Sequence, residues 1–263
     1  MGVVNVTPDS FSDGGEWLDP EAAIQHGRDL IAEGADLIDV GGESTRPGAV
    51  RPSQEEELRR VLPVISDLAG RGAVVSVDTM RPDVAAAAVA AGAAMINDVS
   101  GGRADPRMLP TVAELGVPYI CMHWRGHSED MDSKADYTDV VAEVIAEVRE
   151  QVDQAVAAGI APDRLIIDPG IGFAKTAEHN WELLRRLDEL AELGLPVLLG
   201  ASRKRFLSRL LADGDRLRPA RQCDDASAAL TVVAAQHGLW GVRVHAVRAH
   251  RDAIAVVQRL AGD

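Results

Sequence analysis

Hydrogen-bonding side chains recur in this chain at the ends of short apolar runs. Val75, Ser76 and Val77 lead to Asp78, Met95 and Ile96 lead to Asn97, and Leu165, Ile166 and Ile167 lead to Asp168. Further on, Ser202 and Lys204 follow the run that opens at Val197, and Arg243 and His245 follow Gly241 and Val242. A carboxylate at the mouth of a buried segment is costly unless something there uses it. Asp78, Asn97 and Asp168 present carboxylate and amide oxygens and one amide nitrogen. That set suits a flat heterocycle with amino and ring N–H donors, which a carboxylate binds through two parallel hydrogen bonds. Lys204, Arg243 and His245 add positive charge suited to phosphate or diphosphate. Asn5 is a neutral oxygen ligand suited to Mg²⁺ held largely by diphosphate and water. Arg203 and Arg205, which flank Lys204, fit solvated surface equally well.

Short strands alternating with helices would position these groups. The pattern predicts strands over 1–7, 36–42, 74–79, 95–99, 119–123, 165–168, 197–202 and 241–245. It predicts helices over 19–33, 53–68, 82–91, 106–115, 137–158, 181–193, 205–211, 225–236 and 252–260. Asp19-Pro20 is a helix-opening pair, and Ser53 with Glu56 forms a capping box. Gly34, Gly92, Gly116, Gly159, Gly194 and Gly238 sit where helices should end. Such alternation means a parallel sheet, and near-continuous apolar strands fit burial on both faces. The strand count fits a closed α/β barrel of the TIM (β/α)8 type, one domain over 1–263. A doubly wound open sheet is the alternative, but no Gly-x-Gly-x-x-Gly follows the first strand. Residues i and i+2 of a strand share a face. Asn5, Asp39, Asp78, Asn97, His123, Asp168, Ser202 and His245 are therefore expected to ring one end of the barrel, where such barrels place their active sites. The stretch 124–135 has no pattern and reads as a solvated loop.

Composition narrows the partners. Hydrophobic residues make up 46% of 263 residues, enough for a large core. The net charge of −14 argues against nucleic acid or an anionic membrane as partner, while leaving room for a small anionic substrate. No apolar run reaches membrane-spanning length and no charged-then-apolar leader opens the chain, so a cytoplasmic location is expected. Cys121 and Cys223 lie in unrelated elements and are not expected to form a disulfide.

Seven motifs now stand in order. Asn-Val-Thr-Pro-Asp-Ser-Phe-Ser-Asp-Gly at 5–14, Gly-Gly-Glu-Ser-Thr-Arg-Pro-Gly at 41–48 and Val-Asp-Thr at 77–79 resemble the dihydropteroate synthase family. So do Asn-Asp-Val-Ser-Gly at 97–101, Asp-Pro-Gly-Ile-Gly-Phe at 168–173, Ser-Arg-Lys at 202–204 and Arg-Val-His at 243–245. The resemblance implies a transferase that joins 6-hydroxymethyl-7,8-dihydropterin diphosphate to 4-aminobenzoate, giving 7,8-dihydropteroate and diphosphate. It implies a pterin site at Asp78, Asn97, Asp168 and Lys204. It puts diphosphate on Asn5, Thr45, Arg46, Arg243 and His245, with Mg²⁺ on Asn5. It puts 4-aminobenzoate against Phe11, Pro47, Phe173, Ser202 and Lys204, with its carboxylate toward the helix start after Ser202. Phe11, Ser12 and Asp13 fall on one mobile loop, and Thr45, Arg46 and Pro47 on another. Lys204, Arg243, His245 and Asp78 are the expected catalytic groups, and a homodimer is the expected assembly.

Two departures from the family pattern carry expectations. The chain starts at its first strand, so the barrel floor should be less covered. Ala246 stands where the family commonly has Asp, so His245 should lack a supporting carboxylate. A pterin-binding methyltransferase barrel and a non-catalytic pterin-binding relative are the competing readings. The first would not need the loop motifs or the diphosphate set, and the second would be expected to have lost Lys204, Arg243 or a loop motif.

Overall fold

The computed structural model describes residues 1–7, 19–44, 50–127 and 131–262. Six strands pair in parallel in chain order: β1 (Gly2–Asn5), β2 (Ile38–Gly41), β3 (Val75–Asp78), β4 (Met95–Asp98), β5 (Tyr119–Met122) and β6 (Leu165–Asp168). β7 (Leu198–Leu199) and β8 (Gly241–Val242) form a second parallel pair. Two joints close the ring. The N–H of Ile167 donates to the Pro196 carbonyl at 2.9 Å, and the N–H of Val3 donates to the Val244 carbonyl at 3.0 Å. The result is a (β/α)8 barrel, as the alternation predicts.

The helices follow their strands: α1 (Pro20–Ala32), α2 (Gln54–Gly70), α3 (Pro82–Ala90), α4 (Met108–Leu115) and α5 (Val140–Ala157). After β6 come α6 (Ala177–Arg185) and α7 (Leu187–Ala191), after β7 come α8 (Arg205–Leu210) and α9 (Asp224–Gln236), and α10 (Val247–Ala261) follows β8. The expected helix over 181–193 is two helices broken at Arg186. The first starts early because Thr176 and His179 cap each other, a box with His in place of the usual Glu or Gln. Ser53 accepts the Glu56 N–H at 3.1 Å, but the Glu56 carboxylate turns to Arg59 and Arg60, so only half of that box forms. The six glycines read as helix ends all take positive φ.

Strand alternation sorts the core into two layers. Val4, Val40, Val77, Ile96, Tyr119, Leu165, Ile167 and Leu199 face the helices, packed with Ile65, Leu68, Leu183 and Leu187. Met1, Leu37, Met95, Ile120, Ile166 and Leu198 plug the barrel floor. One pleat above that plug stand Asp39, Asn97 and Asp168, each two residues beyond a floor residue.

β5 breaks the expected phase. Ile120 belongs to the floor and Met122 packs near Phe173, while Cys121 faces the helices. His123 accordingly points outward to α5 instead of joining the ring, with Nε2 3.0 Å from Glu147. Tyr119, Ile120, Cys121 and Met122 are all buried, so apolar character could not choose the inward face. The described part of the loop 124–135 is not simply solvated either. Arg125 pairs with Glu143 and Glu147 and lies 3.8 Å over the Tyr137 ring, and Met131 is buried.

Candidate active site

The strand ends open on one cavity of about 830 Å³. Asn5, Asp78, Phe173, Ser202, Lys204, Arg243 and His245 all line it. Asn97 and Asp168 stand behind this lining: Asn97 reaches it through Asp39 and Arg243, and Asp168 packs against Gly200.

A charged lattice forms the cavity base. Arg243 donates from Nε to Asp39 at 2.6 Å and from Nη2 to Asp78 at 2.8 Å. Asn97 donates from Nδ2 to the same Asp39 oxygen at 2.9 Å. Asp39 is fully buried, so the Arg243 guanidinium neutralises a charge that could not otherwise stay there. Burial pushes the Asp78 carboxyl up to about 8, against the pull of Arg243. Asp39 belonged to the expected ring without an assigned role; its role is to anchor Arg243 and Asn97.

Asp168 sits at the end of β6, as expected, and Gly170 donates its N–H to Asp168 Oδ1 at 2.7 Å. Burial raises this carboxyl, and the Gly170 amide and Lys204 oppose the shift. Gly200 leaves room for it: a Cβ there would lie 3.3 Å from Asp168 Oδ2. The Lys204 ammonium sits 4.0 Å over the Phe173 ring. Burial and Arg243 lower its pKa to about 8. Ser202 and His245 meet at 3.0 Å through Oγ and Nδ1, so Ser202 orients the imidazole that lacks a carboxylate at Ala246. Burial and the nearby cations Arg203, Arg243 and Lys204 push the His245 pKa well down, so His245 does not add the positive charge expected of it. Arg203, read as possible surface, is paired with Asp224 at 2.7 Å with φ of 58°. Arg205 is exposed.

Several residues beside the site carried no strong signal. Lys175 and Asn180 line the cavity and are nearly buried, and Met131 reaches it from the loop after β5. A lysine inside a glycine-rich turn was the available clue to Lys175. Asp98, next to Asn97, points away from the cavity and takes the Tyr119 hydroxyl at 2.7 Å and amides of its own turn. Arg81 ties β3 to the base of the second loop by pairing with Glu57 and Glu43 and donating to the Pro52 carbonyl at 2.7 Å. Phe11, Ser12, Asp13, Thr45, Arg46 and Pro47 lie outside the described residues.

Among the described residues, no group of three or more His, Cys, Asp or Glu could hold a metal ion. The one neutral oxygen of Asn5 beside Arg243 and His245 does fit an ion that brings most of its ligands as phosphate oxygens and water.

Residues 1–245 match the family described as "Pterin binding enzyme". The chain is 58% identical over 259 residues to a dihydropteroate synthase of Mycobacterium leprae (strain TN), covering 98% of this chain and 91% of that one. It is similar to the solved Xanthomonas albilineans dihydropteroate synthase with 4-aminobenzoic acid, at 50% identity and a TM-score of 0.91, covering 100% of this chain and 93% of the other. A second structure of the X. albilineans protein, in complex with 7,8-dihydropteroate, aligns at 47% identity with a TM-score of 0.87, again covering 100% and 93%.

Proposed function

The chain belongs to the pterin-binding enzymes and, within them, to the dihydropteroate synthases, and from that premise we propose that its cavity joins 6-hydroxymethyl-7,8-dihydropterin diphosphate to 4-aminobenzoate. The products are 7,8-dihydropteroate and diphosphate, a step of folate synthesis. The observation that carries this reading is one cavity with two chemistries: an acceptor at Asp78 on its wall, backed by Asn97 and Asp168, and cations at Lys204 and Arg243.

Asp168, Asp78 and Asn97 hold the pterin by its amino and ring N–H groups, with Lys204 over its edge. Diphosphate rests on Asn5, Arg243 and His245, joined by Thr45 and Arg46 on sequence grounds. The bond between the pterin methylene and the diphosphate oxygen breaks, and its electron pair leaves with the diphosphate. Arg243 stabilises that departing charge, and neutral His245 contributes as a hydrogen-bond donor. The carboxyl and amide oxygens of Asp168, Asp78 and Asn97 stabilise the cationic methylene left behind. The arylamine nitrogen then forms the new C–N bond and sheds one proton. Phe173, Ser202 and Lys204 wall the 4-aminobenzoate site, to which Phe11 and Pro47 are assigned on sequence grounds alone. Mg²⁺, bound at Asn5 with the diphosphate, would add positive charge to the leaving group.

The remaining expectations belong to the same reading: one domain over 1–263, a homodimer and a cytoplasmic location. Sedimentation would test the dimer. Among the described residues no helix is long and apolar enough to cross a membrane.

The deciding experiment is pyrophosphate release from the pterin diphosphate, with and without 4-aminobenzoate. Stoichiometric release with formation of dihydropteroate is expected. Methyl transfer, or pterin binding without turnover, would replace the reading with one of its competitors.

A further inference from the structure

Lys175 lines the cavity with only 8% of its surface exposed. Its Nζ donates to the carbonyls of Gly170 and Phe173, both at 3.1 Å, and lies 2.9 Å from His123 Nδ1. Glu147 takes the other ring nitrogen of His123 at 3.0 Å, which fixes the proton on Nε2 and leaves Nδ1 to accept. Three acceptors thus face the three N–H bonds of an ammonium group. Burial pulls Lys175 down to about 7 and His123 down to about 3, so a neutral imidazole meets the lysine.

The turn held this way is a demanding one. Gly170, Gly172 and Ala174 have φ of 67°, 79° and 47°. A residue with a Cβ, such as Ala174, is sterically disfavoured in the left-handed region. Such a conformation persists where surrounding contacts over-determine it. Asn180 holds the outer side by accepting the Gly172 N–H at 2.7 Å, and Lys175 holds the inner side. The same turn sends the Gly170 N–H to Asp168 and presents the Phe173 ring to Lys204.

We infer that Lys175 is a positioning residue of this site: it clamps the turn 169–174 so that Asp168 and Phe173 meet the two substrates, and His123, just after β5, braces it with the support of Glu147 on α5. The inference rests on the reading of the cavity as the pterin and 4-aminobenzoate site. A lysine kept only for packing would need none of its three acceptors. A lysine kept only as a charge near Asp168 would not need the two carbonyls.

Lys175→Met and Lys175→Gln separate these roles. Methionine fills the space without donors, and the glutamine amide keeps two N–H bonds for the two carbonyls. The methionine variant should raise KM for both substrates about 10-fold, and the glutamine variant should recover to within about 3-fold of the native value. Hydrogen exchange of the peptide over 169–174, measured without substrate, should accelerate with methionine and return toward native with glutamine. The inference is overturned if the methionine variant keeps native KM and exchange, or if both variants are impaired equally. If the methionine variant does not accumulate, near-native KM and exchange in the glutamine variant support the clamp, and full loss sinks it. A native chain without 4-aminobenzoate-dependent pyrophosphate release would instead remove the reading of the cavity, while the exchange measurement would still judge the clamp.

Discussion

Arg243 Nη2 lies 2.8 Å from Asp78 Oδ2, so the cation assigned to the leaving group is tied to a carboxylate assigned to the pterin. Its Nε grips fully buried Asp39 in the same fork. Removing it strips charge from the cavity and strands a buried acid. Arg243→Met is expected to slow pyrophosphate release about 100-fold or more. It should also cost about 3 kcal/mol of stability in denaturant unfolding, because Asp39 loses its cation. The Asp39→Asn, Arg243→Met double variant should regain much of the stability and none of the rate. Equal instability in both variants would mean that Asp39 is not the source of the loss.

Lys204 carries a pH dependence with a definite sign. Burial lowers its pKa to about 8, so the ammonium is charged below that value and is lost as pH rises through it. KM for the pterin diphosphate is therefore expected to climb above pH ~8, an alkaline limb of the kind a titrating binding group produces. Lys204→Arg keeps its charge at those pH values and should move the limb upward. An unmoved limb in the arginine variant would assign it to another group.

Gly200 tests the spacing at Asp168. An added Cβ would meet Asp168 Oδ2 at 3.3 Å, so the carboxylate must shift by a few tenths of an ångström. Gly200→Ala is expected to weaken pterin binding in calorimetry about 10-fold with little change in unfolding midpoint. Native affinity would place the pterin out of reach of Asp168.

Position 246 is the N-cap of α10, and Ala246 supplies no side-chain acceptor there. Ala246→Asp should stabilise the fold by about 1 kcal/mol through the missing cap. Ser202 already holds His245, so phosphate affinity should stay the same. A large gain in phosphate affinity would show that the carboxylate acts on His245 after all.

The sequence made the barrel legible because its strands end in polar groups that mark which face points inward. Asp78, Asn97 and Asp168 declared their phase in this way. β5 offered Tyr119, Ile120, Cys121 and Met122, any of which can be buried on either face, and the phase of His123 was lost with it. Lys175 was hidden for a different reason. Its acceptor on His123 lies 52 residues away, and the pairing of β5 with β6 brings the two together. The Arg243 fork has the same character: Asp39 shows as a polar strand end, but nothing local names its partner.

That fork also bears on synthesis from the ribosome. Arg243 follows Asp39 by 204 residues, so a growing chain carries the acid long before its counter-charge exists. A half-made barrel cannot bury Asp39 cheaply until β8 is made and the seam at Val244 can engage β1. The residues that complete the cavity base and the ring seam, Arg243 and Val244, are neighbours near the end of the chain and are made together.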